Sequence, residues 1–519
     1  MNSGSERLPF TETPYYHTGR AGDLKGFDRF LYRCFEIFPG LLSWGTLILV
    51  VVLSIFLPLY AAIFIIAFDV YWLLKTFYLS MHLRHNWRRL KHNMQVDWLD
   101  RMKNIKHDHI FHLVILPFYK EPFEVVEGSI RALIDNRYDK SKFIVVLAGE
   151  ERAGEEARKT AIRAEAEFKK HFGAFITTIH PSDLPNEMPG KGSNISFAAE
   201  ETRKMVLDPR GISYDRVIVS AFDIDTVAHS DYFNCLTWYY LNHPRRNHAS
   251  FQPVPLYNNN IWQAPAIARV IATSSTFWQM IQQERPEKLA TFSSHAVSFE
   301  ALYKGKYWQR NMVSEDSRIF WNLFLAHDGD YEVVPMAYPV SMDINVAPTF
   351  LGTCINNYKQ LRRWAWGVEN VPYILMGFIK NPRISIFKKI RMSFIQIEGF
   401  WSLATNPLLI FLLGWLPLLL GGSDFHTTVL AYNLPFITKN LMNVAMLGLV
   451  LSAIISFSLL PPAPASISKK KYTLYMLGQW ILIPITIILF GAIPGLDAQT
   501  RLMLGKYMGF WVTPKSRTQ

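Results

Sequence analysis

Cysteine is scarce: the 519 residues hold three, Cys34, Cys235 and Cys354, far apart and with no CxxC pair. That spacing excludes a disulfide scaffold and a thiolate zinc site, and it suits a reducing compartment. Charge is thin as well, at 18% of residues against 50% hydrophobic and 14% aromatic. A chain so composed is too apolar to be water-soluble throughout. The fifteen histidines form no HExxH, no GxSxG encloses a nucleophile and no GxxxxGK[ST] loop occurs, which removes the zinc-protease, serine-hydrolase and P-loop readings. Residues 1–39 are polar and mixed in charge, with no basic start running into a short apolar stretch, so no cleavable signal is expected. No repeat or low-complexity segment is visible.

What charge there is leans one way. Lys and Arg number 54 against 42 Asp and Glu, a net +12, which suits anionic lipid or phosphate-bearing partners. The basic clusters adjoin apolar runs, so membrane lipid is the expected partner and nucleic acid is not. Residues 40–79 are almost unbroken apolar sequence, interrupted by Asp69 and Lys75. Since about 20 helical residues cross a bilayer, this reads as two spans hinged near Pro58. Further uncharged runs at 402–421, 441–460 and 473–494 read as three more. The portion between is flanked by Arg84, Arg88, Arg89 and Lys91 on one side and by Lys380, Arg383, Lys388, Lys389 and Arg391 on the other. The positive-inside rule places it in the cytoplasm. Pro382 to Phe400 alternates apolar and basic residues at helical spacing, as a helix in the headgroup layer would. Pro461–Lys471 reads as a cytoplasmic loop.

The central portion alternates strand and helix. His112–Leu116, Phe143–Ala148, Ala174–Ile179 and Arg216–Ala221 are short runs of the kind that form buried parallel strands. Gly154–His171 is a solvated helix, and another follows the turn Gly190–Lys191–Gly192–Ser193–Asn194. The expectation is an α/β domain with a doubly wound, Rossmann-like sheet, whose ligands bind off the carboxyl ends of the strands.

Three clusters could carry chemistry. Asp223 and Asp225 flank one apolar residue directly after a strand, so an extended chain would point both carboxylates into the cleft. Hard oxygen ligands so placed suit Mg²⁺ or Mn²⁺ bridged to a diphosphate, although an isolated Asp-x-Asp is more commonly a turn or cap and only its place at a strand end favours the metal. Ser314–Glu315–Asp316 precedes an apolar helix: Ser314 reads as its N-cap, and a carboxylate at a helix start facing a cleft can serve as general base. Gln360, Arg363 and Trp364 combine an amide, a guanidinium for phosphate and an indole for a sugar face. A juxtamembrane anchor would explain the Arg and Trp but not the Gln.

The order Asp-x-Asp, Glu-Asp, Gln-x-x-Arg-Trp between membrane segments resembles the membrane-integrated family 2 glycosyltransferases, which include the cellulose, chitin and hyaluronan synthases. The tail Phe510–Trp511–Val512–Thr513–Pro514–Lys515 is similar to the gating loop of cellulose synthases, which folds over bound nucleotide. The resemblance implies a GT-A catalytic domain in which Tyr119 and Glu121 line the uridine side and Lys191 contacts the nucleotide. It implies that Asp223 and Asp225 hold the nucleotide-sugar and its metal, that Asp316, beside Glu315, is the base, and that Gln360, Arg363 and Trp364 bind diphosphate and acceptor, with Thr513 and Lys515 in the gating loop. Where many relatives carry an aspartate after the second strand, this chain reads Gly149–Glu150–Glu151, and Ser314 stands where Thr is usual.

The expected layout is a cytoplasmic segment 1–39, two spans in 40–80, a cytoplasmic GT-A domain over 81–380, an interface helix over 381–400, about three spans in 401–495 and a tail over 496–519, in a multi-pass protein of the plasma or inner membrane. Two spans plus three put the tail opposite the catalytic domain, whereas a gating loop belongs beside it. Either one apolar run is re-entrant, a further span lies within 425–440, or the tail resemblance misleads. The expected activity is hexosyl transfer from a UDP-sugar: processive extension of a β-linked glycan, with single transfer to a lipid acceptor as the alternative and a non-catalytic nucleotide-sensing subunit as a third reading.

Overall fold

The computed structural model describes residues 9–461 and 469–513. Most of the expected Pro461–Lys471 loop, and Pro514 and Lys515 of the tail, lie outside the described residues.

Two long helices, Gly26–Phe56 and Pro58–Gln95, meet at Leu57. Pro58 sets the break: it has no N–H to give the preceding turn, yet it fits the first turn of a new helix, where donors are unpaired anyway. Among the described residues three helices are long and apolar enough to cross a membrane, Gly26–Phe56, Pro58–Gln95 and Leu474–Met503. The pair Ile386–Phe411 and Leu413–Leu420, bent by 49°, would make four. The basic stretch expected as a separate interface helix runs unbroken into the apolar run after it, because Ile386–Phe411 is one helix, started by the Ser385 side chain accepting from the Lys388 amide. Val429–Ser458 packs along Pro58–Gln95.

Between these helices lies an eight-stranded sheet: β1 (Phe111–Pro117), β2 (Phe143–Glu150), β3 (Ala174–His180), β4 (Val217–Ala221), β5 (Val227–Ala228), β6 (Ala249–Tyr257), β7 (Ala296–Ser298) and β8 (Glu332–Met342). Their spatial order is β3-β2-β1-β4-β7-β6-β8-β5. The first four strands are parallel, as expected. The doubly wound expectation fails beyond them: β7 runs antiparallel to β4 and β6, and β5 antiparallel to β8, so the sheet is mixed. Both faces are covered. Val114, Leu116, Val145 and Leu147 pack with Ile130, Phe168 and Phe233 on one side, and Leu113, Ile115, Val146 and Val219 with Ile195, Phe320 and Trp321 on the other. Double coverage explains why these strands read as continuous apolar runs, each buried aliphatic contributing about 1.5–3 kcal/mol.

The last apolar stretch stays against this domain. Its helix is interrupted at Gln479–Leu482 and Ile488–Ala492. Near its start Arg269 donates to Gln479 at 2.8 Å and Trp480 stacks on Phe277. Near its end Arg362 and Tyr358 bind Asp497 at 2.9 and 3.1 Å. Both ends touch the domain, so the tail emerges on the domain's side.

Candidate active site

β1, β2 and β4 are neighbours, so their carboxyl ends open onto one cleft. At the end of β4 the chain turns instead of continuing extended, since the Thr226 amide bonds back to the Asp223 carbonyl at 2.9 Å. The turn separates the two aspartates. Asp223 keeps a quarter of its side chain exposed, and its carboxylate takes Lys191 Nζ at 2.6 Å and Ser293 Oγ at 2.7 Å. Asp225 is buried and accepts the Asp343 amide, just past β8, at 3.1 Å.

Lys191 is the first residue of the helix Lys191–Thr202. Close packing around it explains its two glycines: a Cβ on Gly192 would stand 2.9 Å from the Gln309 carbonyl oxygen and 3.0 Å from Glu315 Cβ, and one on Gly190 would stand 2.7 Å from Phe510 Cγ. The Lys191 ammonium bridges Asp223 to both oxygens of Asp316, at 2.9 and 3.0 Å. Burial works against its charge, but Asp223 and Asp316 more than compensate and hold its pKa well above the usual lysine value.

Asp316 lies in the first turn of the helix Glu315–Ala326. Ser314 occupies the N-cap position without capping with its side chain; its hydroxyl donates to buried Glu369 at 2.7 Å, and its amide does so at 2.9 Å. Glu369 also accepts from Trp366 Nε1 at 2.9 Å, which ties the start of the Glu-Asp helix to the turn after the Gln-x-x-Arg-Trp helix. Glu315 is buried, and among the described residues neither carboxylate oxygen has a hydrogen-bond partner. Burial first, and the Asp316 charge second, push its pKa far above the carboxylate range. It is therefore largely neutral near pH 7. His295 is fully buried 3.8 Å from Asp316. Its Nε2 accepts from Trp308 at 3.2 Å, leaving the proton on Nδ1 for the Phe292 carbonyl at 2.9 Å, and burial keeps the ring neutral.

Gln360, Arg363 and Trp364 lie on the helix Phe350–Ala365. Trp364 packs its ring 6.0 Å from Tyr257 and 5.6 Å from Phe292, next to Ser293. Gln360 meets Asn345 at 3.5 Å. The Arg363 guanidinium lies 5.1 Å over the Phe510 ring, so the tail reaches the cleft and contacts both Gly190 and Arg363. Thr513 is buried in this segment. Tyr119 and Glu121 form a separate cluster at the β1 and β2 ends: Glu121 accepts the Tyr119 amide at 2.6 Å, while Arg152 stacks 4.8 Å over the Tyr119 ring and donates to Glu150.

Among the described residues no three His, Cys, Asp or Glu side chains are grouped to hold a metal ion. Asp223 and Asp225 supply hard oxygen donors alone, and Asp223 is partly open to the cleft. Donors of this kind would suit Mg²⁺ or Mn²⁺.

Sequence reasoning missed Ser293, His295, Asp343 and Glu369. Only Asp343 carried a signal, as an acid directly after an apolar run.

An acidic cluster with a buried lysine thus stands at the carboxyl ends of a mixed sheet of the GT-A class. The profile of glycosyl transferase family group 2 matches residues 218–490. The chain belongs to that family and transfers hexosyl groups from nucleotide sugars. No curated protein matches it. Among solved structures it is similar to a mannosyltransferase from Pyrobaculum calidifontis in complex with GDP-Man and Mn²⁺, at 14% identity over 85% of this chain and 100% of that one, with TM-score 0.44. It is also similar to residues 1–349 of TarS from S. aureus, at 8% identity over 77% of this chain and 93% of that one, with TM-score 0.34. At these values neither likeness carries an argument about substrate.

Proposed function

We propose that the chain extends a β-linked glycan from a UDP-sugar by inverting transfer, holding its catalytic domain on the cytoplasmic side of the membrane and passing the product between its own helices. The observation that carries this reading is the contact of Lys191 with Asp223 and Asp316 beneath Arg363, Trp364 and Phe510.

Asp316 takes the proton of the acceptor hydroxyl while that oxygen bonds to the anomeric carbon. The bond from that carbon to the donor phosphate breaks in the same step, and its electron pair leaves with UDP. Its carboxylate is held in place by Lys191, which contacts both of its oxygens. Lys191 and Arg363 balance the negative charge that grows on the diphosphate. Asp223 and Asp225 would hold Mg²⁺ or Mn²⁺, which supplies further positive charge to the leaving group. Trp364, set among Tyr257 and Phe292, offers the acceptor sugar an aromatic face, while Tyr119 and Glu121 face the nucleobase. Thr513 and Lys515 belong to the segment that closes over the nucleotide, and the side on which the tail emerges supports that role. On this reading 473–494 is the re-entrant run.

One observation favours the second reading, single transfer to a lipid acceptor. With the last apolar stretch held along the domain, few helices remain to enclose a polymer. Product length decides: purified protein in nanodiscs is given labelled UDP-sugars, and a ladder or polymer supports the synthase, whereas one added sugar on lipid supports single transfer.

A further inference from the structure

Away from the cleft, a cavity of about 430 Å³ opens between the loop before the first long helix, the first turns of that helix and the start of the tail. Arg20, Arg29, Arg33 and Tyr507 line it, with Ala21 and Gly22. The acids around it are already engaged. Buried Glu36 accepts from the Ala21 amide at 3.0 Å, Arg33 at 2.6 Å and the Tyr507 hydroxyl at 2.8 Å. Asp23 takes the Gly19 and Arg20 amides at 2.8 and 3.1 Å, with the Arg20 guanidinium at a loose 3.6 Å. Asp28 is held by Lys380 and Tyr15, each at 2.7 Å. Arg29 is exposed and makes no ion pair among the described residues. The cavity thus presents one unengaged guanidinium and a second that is loosely held, which is a phosphate-binding arrangement.

The surroundings indicate where that phosphate comes from. Phe27 and Phe30, 73% and 64% exposed, flank Arg29 on the first turns of a helix long and apolar enough to cross a membrane. Apolar rings exposed on a basic stretch that leads into such a helix are the pattern of a segment lying on the membrane surface, which would bring the arginines to lipid phosphates. We propose that this cavity binds the phosphate of an anionic lipid headgroup, with Arg29 and Arg20 as its principal contacts. Because Tyr507 belongs to the tail, the bound headgroup would sit against the segment that carries Phe510 to Gly190.

The test uses the full chain in neutral detergent and measures binding of short-chain phosphatidylglycerol, short-chain phosphatidylcholine and inorganic phosphate. The variants are Arg29→Glu and Arg20→Ala/Arg29→Ala. The Arg29 side chain makes no ion pair or hydrogen bond among the described residues, so its replacement should leave the fold intact, and an unchanged melting temperature verifies this. Phosphatidylglycerol should bind at least about tenfold more tightly than phosphatidylcholine, and each variant should lose about tenfold or more. Inorganic phosphate binding as tightly as phosphatidylglycerol, and equally lost in the variants, would uphold the phosphate site while overturning its lipid source. Phosphatidylglycerol binding that is the same in wild type and both variants, or no stronger than phosphatidylcholine binding, would overturn the proposal.

Discussion

Replacing Lys191 with methionine keeps the bulk of the side chain and removes the cation that Asp223 and Asp316 share. Breaking a buried ion pair by deleting one partner costs about 3–5 kcal/mol, because the remaining charge keeps its burial and loses its compensation. The lysine side chain is 8% exposed and the carboxylates 25% and 23%, so water screens part of the loss and the lower end, about 3 kcal/mol, applies near pH 7. The cost depends on pH in a defined direction. Without the ammonium the two carboxylates repel, and the folded state holds a proton that the unfolded state releases, so stability falls as pH rises above the ordinary carboxylate range of about 4. Thermal unfolding of the purified protein, followed by tryptophan fluorescence, should therefore show Lys191→Met close to wild type near pH 4.5 and well below it near pH 7.5. Lys191→Arg, which keeps a charge, should fall between them. Equal melting temperatures at pH 7.5, or the same deficit at both pH values, would refute the argument that Lys191 is the counter-ion of this site.

Three further outcomes follow from the same geometry. Glu315 holds its proton in the folded state well above the unfolded value of 4.5, so wild type should lose stability relative to Glu315→Gln as pH rises from there through neutrality, and parallel melting curves would contradict this. Gly190→Ala should push Phe510 aside, since the new Cβ would lie 2.7 Å from its Cγ and 2.9 Å from its Cβ; the KM for donor should rise several-fold and recover partly in Gly190→Ala/Phe510→Gly, and no recovery would show that backbone strain at Gly190, whose φ is +157°, and not the Phe510 side chain is the obstacle. Glu369→Ala should cost about 1–3 kcal/mol by leaving the Ser314 and Trp366 donors buried and unpaired. It should lower kcat more than it changes the KM for donor, and an unchanged kcat would show that Glu369 does not position Asp316.

Much of the catalytic domain was legible because its first half obeys local rules. β1, β2, β3 and β4 are apolar runs buried on both faces, and each was found within one or two residues of its place. The second half breaks those rules. β6 carries Pro253 and Pro255 and β8 carries Pro335 and Pro339, residues that argue against interior strands, and their pairing accommodates them by a register shift between Gln252 and Val254. β5 and β7 are too short to show periodicity. Within the site, Lys191, Asp223, Asp316 and Trp364 could be named because each sits in a recognisable cluster. Ser293 and His295 could not, because antiparallel pairing of β7 with β4 brings them to the site from a segment with no chemical pattern of its own. The tail illustrates a different limit: counting apolar runs assigns it a side only if every run crosses. Arg269 and Arg362, far apart in sequence, hold both ends of the last run against the domain.

The central claim is that Asp316 activates the acceptor while Asp223 and Asp225 hold a metal-bound nucleotide sugar. It is tested most directly by measuring UDP release from a panel of UDP-sugars in the presence of Mg²⁺, Mn²⁺ or EDTA, for wild type and Asp316→Asn. The account predicts release from one donor that depends on the metal, stops with EDTA and falls by at least about 100-fold in the variant, while nucleotide binding persists. Release that survives EDTA, or an Asp316→Asn protein as active as wild type, would contradict it.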